Sequence, residues 1–143
     1  MIKAVLDTNV FVSAILKPQS NPGCVIDLIR EHHIKLFISP AILAEIKATL
    51  QYPKLKKLHR LSSNQVDTLL KRLAAAAEIT PGKIVIEAVK DDPSDNIYLG
   101  CAVEGNVDYI VSGDRHLTSL ETFRGIRIVN PATLLKFIKK GNN

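Results

Sequence analysis

The sequence predicts an α/β fold: a three-layer α/β/α domain over residues 1–143, built on a central and mainly parallel sheet. Three observations predict it. Short apolar runs of strand length, rich in Ile and Val, open the chain and recur toward its end. Between them lie segments with apolar residues at helical spacing. Several of those segments open on Ser-Pro or Asn-Pro, where the first residue caps the helix and Pro sits in its first turn. Strands alternating with helices imply a parallel sheet covered on both faces, with right-handed crossovers.

Ile2 to Leu6 is the first strand: short, apolar, and β-branched at Ile2 and Val5. Val10 to Leu16 is too short to stand alone, and Pro18 and Pro22 punctuate the residues after it. Asn21-Pro22 starts a helix that runs to about Arg30, with Val25, Leu28 and Ile29 on one face. Leu36-Phe37-Ile38 is the second strand. Ser39-Pro40 starts the next helix, whose apolar stripe is Ile42, Leu43, Ile46 and Leu50; Pro53 ends it. After a basic segment, Ser62 or Ser63 caps a long helix to about Ala77, with Val66, Leu69, Leu70 and Leu73 in period.

Pro81-Gly82 is a turn, and Ile84-Val85-Ile86 is a candidate third strand. Asp91 to Asp95 is a polar loop. A helix from Asn96 to Val103 carries apolar or small residues on most sides. Tyr109-Ile110-Val111 is a strand that breaks at Ser112-Gly113-Asp114. Ile126 to Val129 is the last strand, and Asn130-Pro131 caps a final helix from Ala132 to about Lys139.

A length of 143 residues suits one domain with a real core. The 46% hydrophobic and 23% charged content is an ordinary globular balance, which excludes a disordered chain. No apolar stretch is long enough to span a bilayer, and the N-terminal run is too short for a signal peptide. Cys24 and Cys101 stand far apart without metal-ligand spacing, so they are expected to be buried, reduced thiols of a cytoplasmic protein. The four His residues add no zinc pattern.

The net charge is +5, and positive residues concentrate at Lys54, Lys56, Lys57, His59 and Arg60, then at Lys136, Lys139 and Lys140. Such a surface gains affinity for a polyanion by releasing counterions, although a solvated helix face has the same composition. Charge alone therefore points toward nucleic acid without establishing it.

In open α/β sheets the ligand site lies beyond the carboxyl ends of the strands. Asp7 follows the first strand directly, and Asp114 follows the Tyr109–Val111 strand, so both belong to that rim. Glu45 is in the second turn of the helix after the second strand, flanking its apolar stripe. Asp95 opens the helix that feeds the Tyr109–Val111 strand, which by chain direction puts it at the opposite rim unless the loop folds back. Each acid has a plainer use: Asp7 and Asp95 as helix caps, Asp114 as a turn residue, Glu45 as a solvated charge. Convergence of three or four of them on one crevice is what gives them chemical meaning. Close carboxylates raise one another's pKa, and a hard divalent cation such as Mg²⁺ or Mn²⁺ removes the conflict.

These motifs resemble PIN-domain proteins over nearly the whole chain, and among them the toxin-component group related to VapC-type toxins. The carrying residues are Val5–Ala14 (VLDTNVFVSA), Ser39–Ile46 (SPAILAEI), Asp91–Leu117 and Ile128–Phe137 (IVNPATLLKF). The resemblance implies a PIN fold and Mg²⁺- or Mn²⁺-dependent hydrolysis of RNA. It assigns the metal-binding, catalytic acids to Asp7, Glu45, Asp95 and Asp114, and it implies that the chain brings Asp95 into the common pocket. Asp92 is an auxiliary acid in this scheme, with Asn9 and Ser112 as polar supports. An antitoxin protein and a homodimer are the partners it implies, with no membrane. His116 beside the last acid is a surface turn residue or a phosphate contact.

Two other readings compete. An aspartyl-nucleophile phosphatase also begins with a strand and Asp, but it needs a second acid where Asn9 stands. A non-catalytic RNA-binding or protein-interaction module would keep the fold and the basic surface while tolerating loss of acids; all four acids are present.

Overall fold

Ala4, Val5 and Leu6 are consecutive, and all three are buried. Successive strand side chains point to opposite faces, so both faces of this strand are covered. That places β1 (Ile2–Leu6) at the centre of the sheet with helices above and below. Ile110 and Val111 repeat the pattern in the neighbouring β4 (Tyr109–Val111). Fully burying each Val, Leu or Ile contributes about 1.5–3 kcal/mol, so these two strands anchor the core.

The computed structural model describes residues 1–86 and 95–141. Among the described residues the chain runs β1, α1 (Thr8–Leu16), α2 (Asn21–Arg30), β2 (Ile34–Ile38), α3 (Pro40–Leu50), α4 (Pro53–His59), α5 (Ser63–Ala76) and β3 (Glu78–Ile79). It continues through α6 (Asn96–Gly105), β4, α7 (Arg115–Thr118), β5 (Thr122–Phe123), β6 (Ile126–Val129) and α8 (Pro131–Gly141). The strands form one sheet in the order β3-β2-β1-β4-β6-β5. Every pairing is parallel except β5 with β6. Val5 stands opposite Ile110, and Ile110 opposite Ile128.

The expected caps at Ser39 and Ser62 are present, whereas α2 is capped by Ser20, one residue before the expected Asn21, which lies in the first turn of the helix. Ser20, Ser39 and Ser62 accept from the backbone N–H of Gly23, Ile42 and Gln65, and the Gln65 side chain accepts from the Ser62 N–H in return. Ile42, Ile46 and Leu50 of α3 are wholly in the core, while Leu69, Leu70 and Leu73 of α5 are half-buried. Cys101 is buried and Cys24 half-buried, both as free thiols. No helix among the described residues is long and apolar enough to cross a membrane.

Three local expectations about elements change. Val10–Leu16 does form a helix, α1, because Asp7 caps it and Val10, Phe11, Val12 and Ala14 bury against neighbours. Pro53 opens a helix as well as closing one: it occupies the first turn of α4, where its missing N–H costs nothing, and the basic segment is helical. Ile84–Ile86 is not a strand. The third strand is Glu78–Ile79, two residues long, ahead of the turn at Gly82 with φ of 74°. Ile86 is buried without joining the sheet, whereas Val85 is 81% exposed. The Asp91-Asp92-Pro93-Ser94 part of the polar loop lies outside the described residues.

Candidate active site

The chain builds outward from β1 in both directions: β2 and β3 lie on one side, β4 and β6 on the other. The connections therefore part between β1 and β4, and a crevice opens at their carboxyl ends. Asp7 leaves β1 at this point, and Ser112-Gly113-Asp114 leaves β4.

Asp7 is held on three sides. Its N–H donates to the Val111 carbonyl at 3.0 Å, extending the β1–β4 ladder by one rung. Its Oδ1 accepts from the Val10 N–H at 3.0 Å, capping α1. Its Oδ2 accepts a very short hydrogen bond from the Ser112 hydroxyl. Ser112 is fixed in turn by its N–H on the Val129 carbonyl at 2.9 Å, and its Oγ accepts from the Asp114 N–H at 2.9 Å. Asp114 then caps α7, with its Oδ1 accepting from the His116 N–H at 2.7 Å. One serine hydroxyl thus joins the two acids.

Burial pushes the Asp7 carboxyl above its ordinary value, since its side chain is almost wholly removed from water. The Ser112 hydroxyl and the Val10 and Asn9 amides pull it back, and the charge on Asp114 pushes it up again. The Tyr98 phenol carries the record of a third acid. It is raised to about 12, chiefly by burial; its bonds to Thr8 oppose the rise, and the charges of Asp7 and then Glu45 add to it. Glu45 on α3 is therefore within electrostatic reach of the same hydroxyl as Asp7.

Tyr98 also settles which rim Asp95 occupies. Its hydroxyl lies 2.7 Å from Thr8 Oγ1 and accepts from the Thr8 N–H at 3.2 Å. The first turn of α6 thus lies over the carboxyl end of β1, not at the opposite rim as chain direction suggested. The physical reason is that a crossover helix runs antiparallel to the strands it joins, so its start returns to their carboxyl ends. Asp95 is three residues before Tyr98 and so on the same side of the helix. It is 5% exposed, and its side chain makes no capping bond to α6.

Asn9 is exposed in the first turn of α1, and His116 is exposed on α7. Asp92 lies outside the described residues. Tyr98 is the site residue that sequence reasoning missed. Its signal was a phenol one helical turn beyond Asp95 among the apolar and small residues of the helix.

Ion pairs among the described residues join Asp27 with Arg30, Glu31 with His33 and Asp67 with Lys47. Asp7, Glu45 and Asp114 take part in none of them. Among the described residues no group of three or more His, Cys, Asp or Glu is gathered closely enough to hold a metal ion. The Asp7–Asp114 pair is nonetheless suitable chemistry for Mg²⁺ or Mn²⁺. These hard ions take oxygen donors, and Mg²⁺ commonly binds through one or two carboxylates and otherwise through water and phosphate. A buried carboxylate facing a second one is also the charge imbalance that such an ion relieves.

The family model described as PIN domain matches residues 3–116. The chain is 35% identical over 119 residues to an uncharacterized protein of Methanocaldococcus jannaschii, covering 83% of this chain and 75% of that one. Its fold is similar to that of VapBC2 from Rickettsia felis, solved bound to a DNA fragment from their promoter (TM-score 0.58, 16% identity, 90% of this chain and 98% of that one). DNA-bound VapBC from Salmonella typhimurium is equally similar (TM-score 0.58, 16% identity, 92% and 99% covered). FitAcB from Neisseria gonorrhoeae is similar at a TM-score of 0.51 (17% identity, 90% and 98% covered).

Proposed function

Because this chain belongs to the PIN domain family, we propose that it is a Mg²⁺- or Mn²⁺-dependent endoribonuclease, all of it one catalytic domain. The observation that carries the proposal is the Asp7–Ser112–Asp114 arrangement at the carboxyl ends of the two central strands. In this reading Asp7, Glu45, Asp95 and Asp114 hold the cation, with Asp92 as an auxiliary acid. When bound, the ion polarises a phosphoryl oxygen and lowers the pKa of water. Ser112 orients Asp7 and favours its charged form, Asn9 supplies a polar contact at the rim, and Lys54, Lys56 and Lys57 of α4 with Arg60 after it hold the RNA backbone. Hydrolysis bonds a water oxygen to phosphorus and breaks the P–O3′ bond. The products carry a 5′-phosphate and a 3′-hydroxyl.

The biological role we favour is the toxin of a toxin–antitoxin pair in the cytoplasm, supported by the fold shared with the VapBC complexes. A homodimer has the half-buried Leu69, Leu70 and Leu73 available, since the α3 stripe is spent in the core. The second reading, an inactive RNA-binding or protein-interaction module, is favoured by one observation: the described residues gather a pair of acids and no larger group.

The test is labelled single-stranded RNA incubated with the protein and Mn²⁺, Mg²⁺ or EDTA, beside Asp7→Asn. Cutting that needs metal and is lost in the variant is the expected result. Full activity in Asp7→Asn would sink the site. RNA binding with no cutting under any metal, and no Mn²⁺-induced rise in melting temperature, would favour the inactive module.

A further inference from the structure

At the starts of α1, α2, α3, α5, α7 and α8 a Ser, Asp or Asn side chain takes a backbone N–H. Helix α4 opens on Tyr52 instead, with no side-chain cap. A Ser or Asp there would serve the helix better. A position that breaks a local rule is where function is to be sought.

The core does not account for this tyrosine. Tyr52 is 57% exposed, and no residue of α4 is buried. Among the described residues no aromatic ring or cation lies on its face. The helix beneath it is nevertheless fixed. His59 Nδ1 accepts from the Leu61 N–H at 2.8 Å, so Nε2 carries the proton and donates to the Leu50 carbonyl at 2.8 Å. That bond ties the last turn of α4 to the end of α3. Helix α4 also lies against α1, which Asp7 caps.

The surroundings of Tyr52 are all of one sign. Lys54, Lys56, Lys57 and Arg60 are exposed, and no acid occurs between Tyr52 and Asp67. None of the four cations takes part in the ion pairs formed among the described residues. Leu58 is exposed too, so a protein partner is the rival occupant. Unpaired cations around an open aromatic ring match a nucleic-acid strand better: the cations meet phosphates and the ring meets a base. The bases of a duplex are stacked on one another and offer no face to such a ring, whereas an unpaired base does.

We infer that Tyr52 is a stacking platform for an unpaired base, and that through it α4 selects single-stranded over double-stranded RNA. The inference rests on the ribonuclease reading and adds the class of RNA that the enzyme holds.

The test uses the whole chain in EDTA with fluorescein-labelled oligouridine and with an RNA duplex of equal length. Tyr52→Ser removes the ring and supplies the missing cap, so the melting temperature should hold. It should weaken oligouridine binding about five- to a hundredfold. The slope of log K against log salt should stay at the wild-type value, because no charge is lost. Tyr52→Phe should bind as the wild type does, and duplex binding should not respond to either variant. In the wild type, stacking should also move the Tyr52 ring-proton resonances upfield. Unchanged oligouridine binding in Tyr52→Ser overturns the platform, as does equal weakening toward the duplex. Ring resonances that stay in place under saturating oligouridine, or no binding by the wild type, overturn it as well. Metal-dependent cutting with binding indifferent to Tyr52 would defeat the platform and leave the ribonuclease standing. Binding that depends on Tyr52, without cutting under any metal, would do the reverse.

Discussion

The Tyr98 hydroxyl sits 2.7 Å from Thr8 Oγ1 and also takes the Thr8 backbone N–H, tying the first turn of α6 to the residue after Asp7. Both side chains are buried, so removing the hydroxyl strands a donor with no access to water. Tyr98→Phe should cost about 1–3 kcal/mol in urea unfolding. It should also weaken Mn²⁺ binding, because Asp95 is positioned by the same helical turn. Unchanged stability would mean that the pair is not a structural tie.

Asp7 supplies a pH test. Its carboxyl titrates above the ordinary 3.8, so in metal-free protein the protonated form is the one the fold prefers. Its contribution is complete below the unfolded value and is lost as pH rises through the folded one. In EDTA, Asp7→Asn should therefore melt higher than wild type at pH 7. The gap should close as pH approaches 3.8. Saturating Mn²⁺ should reverse the order at pH 7, because only the wild type gains about 2.7 kcal/mol at a hundredfold excess over Kd. Parallel melting curves at all pH values would show that Asp7 is not desolvated.

The basic helix is testable by salt. Charge reversal at Lys54, Lys56 and Lys57 should weaken RNA binding, and more at low salt than at high. Each lost phosphate contact should flatten the slope of log K against log salt by about 0.7. An unchanged slope would reduce α4 to a solvated face.

Gly100 makes a packing prediction away from the acids. A Cβ there would stand 2.8 Å from the Ile84 carbonyl oxygen. That carbonyl cannot easily retreat, since Glu104 accepts from the N–H groups of Gly82, Lys83 and Ile84 at 2.9, 2.8 and 3.3 Å. Gly100→Ala should thus cost about 1–3 kcal/mol. Adding Glu104→Ala should recover part of that loss by letting residues 82–84 move. Strict additivity of the two changes would argue against the coupling.

Much of this fold is legible in the sequence where local chemistry and burial agree. β1, β4 and β6 are apolar runs, and Ser39, Ser62 and Asn130 carry helix-start signals, each answered by a hydrogen bond in place. The edges are less legible. Ile84–Ile86 has the composition of a strand, yet pairing went to Glu78–Ile79, whose position after α5 lets it reach β2. Thr122–Phe123 has no composition to announce it; it pairs because the turn at Arg124-Gly125 folds it back on β6. In the site, the placements of Asp7 and Asp114 follow from strand ends alone. That of Asp95 required knowing which way a crossover helix points.

The two strands at the margins of the sheet, β3 and β5, are each two residues long. Each offers too few unpaired amides and carbonyls to template a strand from another molecule. Edge-to-edge growth into fibrils is thereby suppressed, even though the central strands are among the most apolar segments in the chain. A concentrated solution of this protein should lose material through exposed helix faces, as reversible clusters, and not through cross-β deposits that bind amyloid dyes.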